Sequence, residues 1–275
     1  MPHPNGRGPR LLGVAGLRYR GAVESRHAFS HEAYCAALPA EVDRFAEAIS
    51  AADPLARVPT CPEWTVARLA DHLGSVHRWA DEHVRRLSQE RIPGAQIDVG
   101  TPPDPADLPA WLRAGAARLV KDLLDRDADA AVWAWGADKC VRFWSRRMIH
   151  ESTIHRADAE FALAREPSIE TAVAADGIDE FLENLPHATW AEGIVALRGE
   201  GERIALRSPD GEWTIRLGTD GIEWSHDAEP ADAVIEASAA DLYLFVWGRR
   251  TAGAPELRCS GDDDLVKRWV EATRL

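Results

Sequence analysis

Glu151 and His155 stand four residues apart in the segment His150-Glu151-Ser152-Thr153-Ile154-His155-Arg156-Ala157-Asp158. On a helix that spacing puts both side chains on one face, one turn apart. Asp158, seven residues after Glu151, lies close to the same line. A carboxylate and an imidazole on a rigid support can chelate a divalent metal, and a useful site needs a third donor. The best candidate is His72, in Ala70-Asp71-His72-Leu73-Gly74 on an earlier amphipathic stretch. Two histidines and one glutamate leave a coordination position open. That is a catalytic zinc pattern, whereas a closed structural site takes four protein ligands. The spacing does not decide alone, because E-x-x-x-H pairs also arise on solvated helix faces. A histidine beside an apolar face is often only a satisfied core residue.

The elements that would position these residues are legible. Tyr34, Leu38, Val42, Phe45 and Ile49 recur at helical spacing from about Ser30 to Ser50. A loop from Ala52 to Trp64 follows, and Thr65 reads as the N-cap of a second helix to about Leu87. The apolar line of that helix is Val66, Leu69, Ala70, Leu73, Val76 and Ala80. Past a Pro-rich connection, a third helix carries Leu108, Trp111, Leu112, Leu119, Leu123 and Leu124. A fourth spans about Val141 to Leu163. Four helices with one long middle connection predict a bundle, in which metal sites are built from inward-facing side chains of different helices.

The pattern changes after Pro167. A helix is predicted from Thr171 to Leu185. Period-two segments follow at Gly193–Arg198, Arg203–Arg207, Trp213–Leu217 and Ile222–Trp224, with a further strand at Ala233–Ala237. Ser208-Pro209-Asp210-Gly211 reads as a turn. Helices are predicted from Ala239 to Trp247 and from Asp263 to Thr273. The acids of Ser260-Gly261-Asp262-Asp263-Asp264 suit a helix N-terminus better than a metal cluster. The expected organisation is a leader over residues 1–26, a four-helix metal-binding bundle over 27–166 and an α+β domain over 167–275. The Gly-, Pro- and Arg-rich leader reads as a disordered extension or an over-early start rather than a signal peptide.

Composition narrows the function classes. A net charge of −13 over 275 residues argues against a nucleic-acid partner. No stretch approaches the ~20 apolar residues of a membrane span. Cys35, Cys61, Cys140 and Cys259 form no C-x-x-C and suit a reducing cytoplasm, as inert buried thiols rather than nucleophiles. Only Lys121, Lys139 and Lys267 are lysines among 32 basic residues, a bias of GC-rich bacterial genomes.

Val58-Pro59-Thr60-Cys61-Pro62-Glu63-Trp64-Thr65-Val66, Leu69-Ala70-Asp71-His72-Leu73, Val76-His77-Arg78-Trp79-Ala80 and the segment from His150 to Glu160 resemble the two motifs of the mycothiol-dependent maleylpyruvate isomerase-like family. The resemblance runs from about Phe29 to the C-terminus. It implies an N-terminal DinB-like four-helix bundle, a smaller α+β domain, and zinc ligands at His72, Glu151 and His155. It also implies mycothiol as thiol cosubstrate and an active-site arginine from the second domain. In Leu244-Phe245-Val246-Trp247-Gly248-Arg249-Arg250 the better match is Arg249, read as a clamp for a substrate carboxylate; the competing reading is a solvated arginine.

Physically, a cation held by two neutral imidazoles and one carboxylate stays positive and stabilises a bound thiolate, the reactive form of a thiol. That chemistry serves cis–trans isomerisation of an electrophilic acid such as maleylpyruvate, or addition to it. The same ligands suit a detoxifying thiol S-transferase, a zinc-hydroxide hydrolase or a non-catalytic metal-binding regulator. Asp158 is placed to orient His155 or a metal-bound water. Arg147, one turn before Glu151, suits a plain surface ion pair with it, the other reading being a contact with substrate. His83 also lies on the second helix; His77, about 140° round that helix from His72, and His150, adjacent to Glu151, point away from the cluster, and Asp71 is a poor partner for His72. An active site between the two domains is expected.

Overall fold

The computed structural model describes residues 28–102 and 104–274, so the leader over residues 1–26 lies outside the described part. Helix α1 (His31–Ala51) begins at Ser30, whose hydroxyl accepts the Ala33 N–H, and buries Tyr34, Leu38, Val42, Phe45 and Ile49. Helix α2 (Val66–Arg86) starts at Thr65, whose hydroxyl accepts the Arg68 N–H. It ends at Leu87, which takes the left-handed conformation with φ of 46°. Each cap satisfies a backbone donor that the first helical turn leaves open. Helices α3 (Leu108–Leu124) and α4 (Val141–Ala162) complete the bundle.

The stretch between α1 and α2 is a small hairpin rather than the loop expected. Strand β1 (Arg57–Val58) pairs antiparallel with β2 (Cys61–Thr65). Two- and five-residue strands carrying a proline leave little alternation to read. Val58, fully buried, anchors the hairpin to the bundle core.

Helix α5 (Thr171–Asn184) leads into a five-stranded sheet ordered β5-β4-β3-β6-β7. Its strands are β3 (Arg203–Ser208), β4 (Gly211–Leu217), β5 (Ile222–Ser225), β6 (Ala233–Glu236) and β7 (Arg258–Gly261). The β3–β6 pair is parallel and the other three pairs are antiparallel. Hydrophobic Ile204, Leu206, Ile215, Leu217 and Ile235 are buried with helices α7 (Ala239–Val246) and α8 (Asp263–Ala272). The whole is an α+β fold of bundle plus small mixed sheet.

Two further segments depart from expectation. Gly193–Arg198 is not a strand: a short helix, α6 (Glu192–Ala196), occupies it. Ile194 in the helix and Leu197 at its C-cap, three apart, are buried, while Val195 is 48% exposed, so the apolar run had helical spacing. Strand β7 carries no apolar alternation and is held by its pairing with β6. The acids before α8 do cap it, as Asp262 accepts the N–H groups of Asp264 and Leu265. No described helix is long and apolar enough to cross a membrane.

Helix α4 belongs to both hydrophobic cores. Trp144, Met148 and Ile149 pack into the bundle core, and Ile154 and Ala157 into the core of α5, the sheet and α7. Its polar residues are therefore buried too, and they are paired. Arg156 donates to Glu41 of α1 at 2.5 Å and to Glu160 at 2.6 Å. Asp176 of α5 accepts from Tyr34 at 2.8 Å, meets His150 Nε2 at 2.8 Å and pairs with Arg146 at 2.9 Å. Burial raises the Asp176 carboxyl, but Arg146, His150 and Tyr34 together hold it well below the usual carboxylate range. A carboxyl depressed on folding stabilises fully above its unfolded pKa of ~3.9 and loses that contribution as pH falls below it. Asp176→Asn breaks a buried pair and is expected to cost about 3–5 kcal/mol. Urea unfolding at pH 7 measures this, and the variant should lose part of the wild-type decline in stability below pH 4. An unchanged urea midpoint would dismiss Asp176 as the junction's anchor.

Candidate metal centre

Helix α2 turns the edge of its apolar face toward α4, and His72 sits on that edge between buried Leu69 and Leu73. Glu151 and His155 project from successive turns of α4. Glu151 Oε1 lies 3.4 Å from His72 Nε2 and 3.2 Å from His155 Nε2. One ligand atom from each of the three falls within 4.8 Å of the others. The His72 side chain is 29% exposed and that of His155 only 8%, so the cluster opens to solvent on the His72 side. The Trp64 ring of the hairpin lies 4.6 Å from the His72 ring and 6.1 Å from the His155 ring, covering both.

A second layer fixes each donor. Asp158 Oδ2 accepts from His155 Nδ1 at 2.9 Å. An ionised carboxylate only accepts, so Nδ1 carries a proton directed at Asp158, and Nε2 is the ring atom turned toward Glu151. Asp158 Oδ1 accepts from Thr60 of the hairpin at 2.5 Å. Arg249, just past α7, donates to both Asp158 oxygens, at 3.0 and 2.8 Å. Burial pushes the Asp158 carboxyl up, but the Arg249 charge and the His155 hydrogen bond outweigh it, and the group titrates far below the usual range. Arg147 grips Glu151 Oε2 at 3.0 Å and Glu180 of α5 at 2.6 Å, with its guanidinium 4.7 Å from the Trp247 ring centre. Burial also raises the Glu151 carboxyl, yet hydrogen bonds from His155 and His72 and the Arg147 charge bring it well below the usual value. For His155, burial opposes the charged ring, and the Asp158 and Glu151 hydrogen bonds reverse that and raise its pKa.

The structure thus brings His72, Glu151, His155 and Asp158 together and leaves the other histidines out. His77 meets Ser152 Oγ at 3.0 Å, and burial lowers its pKa to about 3. His83 Nε2 accepts the Ile92 N–H at 2.9 Å. His150 faces Asp176 and Tyr243. Asp71 pairs with Arg68 at 2.6 Å instead of His72. Arg249 reaches the cluster through Asp158, and its side chain is only 11% exposed. Arg147 is not the surface residue its sequence suggested but 2% exposed. Trp64, Thr60 and Glu180 escaped sequence reasoning as site residues. Trp64 alone carried a signal, an aromatic immediately before a helix cap.

A cavity of about 430 Å³ opens at His72, beside the cluster. It is bounded by α2 and the 91–99 connection, so the second half of the chain does not line it.

A helical bundle carrying a two-histidine, one-glutamate cluster, joined to a small α+β unit, is the class this architecture defines. The chain belongs to the mycothiol maleylpyruvate isomerase family. The family model described as mycothiol maleylpyruvate isomerase N-terminal domain matches residues 35–160, and that of the MDMPI C-terminal domain matches residues 172–268. The crystal structure of the mycothiol-dependent maleylpyruvate isomerase shares the fold, with a TM-score of 0.58 at 15% identity over 85% of this chain and 95% of that one. A point mutant of that isomerase gives a TM-score of 0.59 at 16% identity over the same shares. Among curated proteins, none matches this chain by sequence.

Cys61 is the one thiol near the cluster, its sulfur 3.6 Å from Arg249 Nη2 and 3.8 Å from Asp158 Oδ2. Burial and the Asp158 charge push it up to about 11, with Arg249 pulling only part of the way back. At pH 7.5 only ~0.03% would be thiolate, against ~10% for a free cysteine. Iodoacetamide labelling of Cys61, followed by mass spectrometry, should therefore run about 300-fold slower than that of a free thiol. Labelling at the free-thiol rate would restore Cys61 as a nucleophile.

Proposed function

We propose that this chain is a metal-dependent enzyme that uses mycothiol to isomerise, or add to, a small electrophilic acid such as maleylpyruvate. The observation that carries the reading is the spacing of the donors. Atoms bound ~2.0–2.1 Å from one tetrahedral cation lie ~3.4 Å apart, and Glu151 Oε1 is 3.4 and 3.2 Å from the two Nε2 atoms. With Nδ1 of His155 donating to Asp158, Nε2 is the ring atom left to hold a cation beside Glu151 Oε1. The donor set is that of catalytic zinc, with an open position. The family membership supports the thiol, and the four free cysteines, Cys35, Cys61, Cys140 and Cys259, suit a reducing, cytoplasmic setting.

His72, Glu151 and His155 would hold the ion, which supplies positive charge that stabilises a bound thiolate near neutral pH. The chain's own groups prepare that site. Asp158 fixes the tautomer and orientation of His155. Arg147 occupies Glu151 Oε2, leaving Oε1 as a single ligand atom. Trp64 shields both imidazoles from water on one side. Arg249 neutralises Asp158 and so acts through it, as a positioning residue.

His72→Ala should abolish metal binding and thiol-dependent turnover while circular dichroism stays that of the wild type, because the bundle core does not rest on this half-exposed ring. Metal analysis at wild-type stoichiometry would remove His72 from the ligand set. Turnover of maleylpyruvate that proceeds equally without thiol would favour a hydrolytic or other thiol-free chemistry. Glu180→Gln weakens the hold on Arg147 and is expected to lower metal affinity by about 10–100-fold, the usual effect of losing an outer-shell partner. Competition with a chelating dye measures it, and an unchanged affinity would make the Arg147–Glu180 pair purely structural.

A further inference from the structure

The α2 face that continues from His72 carries Ser75, Val76 and Trp79, at helical spacing, and these form the floor of the cavity of about 430 Å³. Its wall is the connection after α2, which presents Ile97 and Val99. The volume falls in the range of small-molecule sites, and an apolar slot with a few placed polar groups is their common form.

Charge is distributed unevenly around this slot. Arg146, Arg147, Arg156 and Arg249 are each tied to buried carboxylates, and Arg68 at the cavity's other margin is paired with Asp71. Arg91 also lines the cavity, and among the described residues it has no acidic partner; its guanidinium lies 5.8 Å from the Trp79 ring centre. In a chain of net charge −13, an exposed, unneutralised guanidinium beside an apolar slot is a place for an anion. Trp79 is seven residues from His72 along α2, about 10 Å of helix. A ligand with one end at the cluster and a carboxylate at Arg91 therefore spans about that length.

We infer that this slot is the acid-binding site, and that Arg91 reads the distal carboxylate of an elongated, two-ended organic acid whose other end reaches the His72–Glu151–His155 cluster. The inference rests on that cluster being the reaction centre. It assigns carboxylate recognition to the connection after α2, because Arg249 already spends its charge on Asp158.

The test uses two eight-carbon probes, suberate with two carboxylates and octanoate with one, titrated against the full chain by tryptophan fluorescence. Each titration is run with and without added zinc, and metal content is measured on the same samples. Suberate should bind the wild type more tightly than octanoate. Arg91→Gln should weaken suberate by about 10-fold or more, the worth of one charge-assisted hydrogen bond, and leave octanoate nearly unchanged. Arg91→Lys should recover part of the loss. Equal affinities of the two acids, no binding of either, or an Arg91→Gln variant that holds suberate as the wild type does would overturn the inference. A chain that prefers suberate through Arg91 yet binds no zinc would sink the metal-dependent reading instead and leave the acid site standing.

Discussion

A helix enclosed on every side must either be apolar throughout or have its charges answered in place. Helix α4 takes the second course. It buries Arg146, Arg147, His150, His155, Arg156 and Asp158 between two hydrophobic cores. A buried charge without a partner costs several kcal/mol, so each of these groups dictates a partner on a neighbouring element. Glu41 on α1, Asp176 and Glu180 on α5, Thr60 on the hairpin and Arg249 beyond α7 are those partners. The packing of the bundle against the α+β unit is as much a consequence of this pairing as of apolar contact.

The cluster inherits its shape from the same requirement. Glu151 could present either oxygen to a ligand, but Arg147 takes one and leaves the other between two imidazoles. His155 could adopt either tautomer, but Asp158 accepts from Nδ1 and thereby selects Nε2 for the cluster. Neither constraint originates on α2 or α4 alone: Arg147 is anchored by Glu180 and Asp158 by Arg249. The donors belong to the bundle and their orientation to the half of the chain that follows it.

What could be read from the sequence follows the same division. Helices α1 to α4 were legible because each repeats its apolar residues over four to six turns. His72, Glu151 and His155 were legible because helical spacing fixes where side chains point before any tertiary contact is known. Asp158 followed from its distance to Glu151. The hairpin and β7 were not, since two to five residues rich in polar groups and proline carry no periodicity. The stretch from Gly193 to Arg198 misled because a short apolar run fits either period. The partnerships of Glu180 and Arg249 were invisible for a different reason: nothing in Asp179-Glu180 or Arg249-Arg250 says which member of the pair turns inward until α5 and α7 are packed.

Helix α4 also bears on modularity. The two family models meet this chain as separate stretches, 35–160 and 172–268. Yet Ile154 and Ala157, inside the first stretch, are buried in the second core, while Asp176 and Glu180, inside the second, answer charges on the first. Cutting the chain between them would leave an apolar stripe, an unpaired Arg146 and an Arg147 with Glu151 alone on one fragment, and the carboxylates of Asp176 and Glu180 without their arginines on the other. The halves are thus expected to melt as one unit, and moving either onto another partner would carry a broken interface with it.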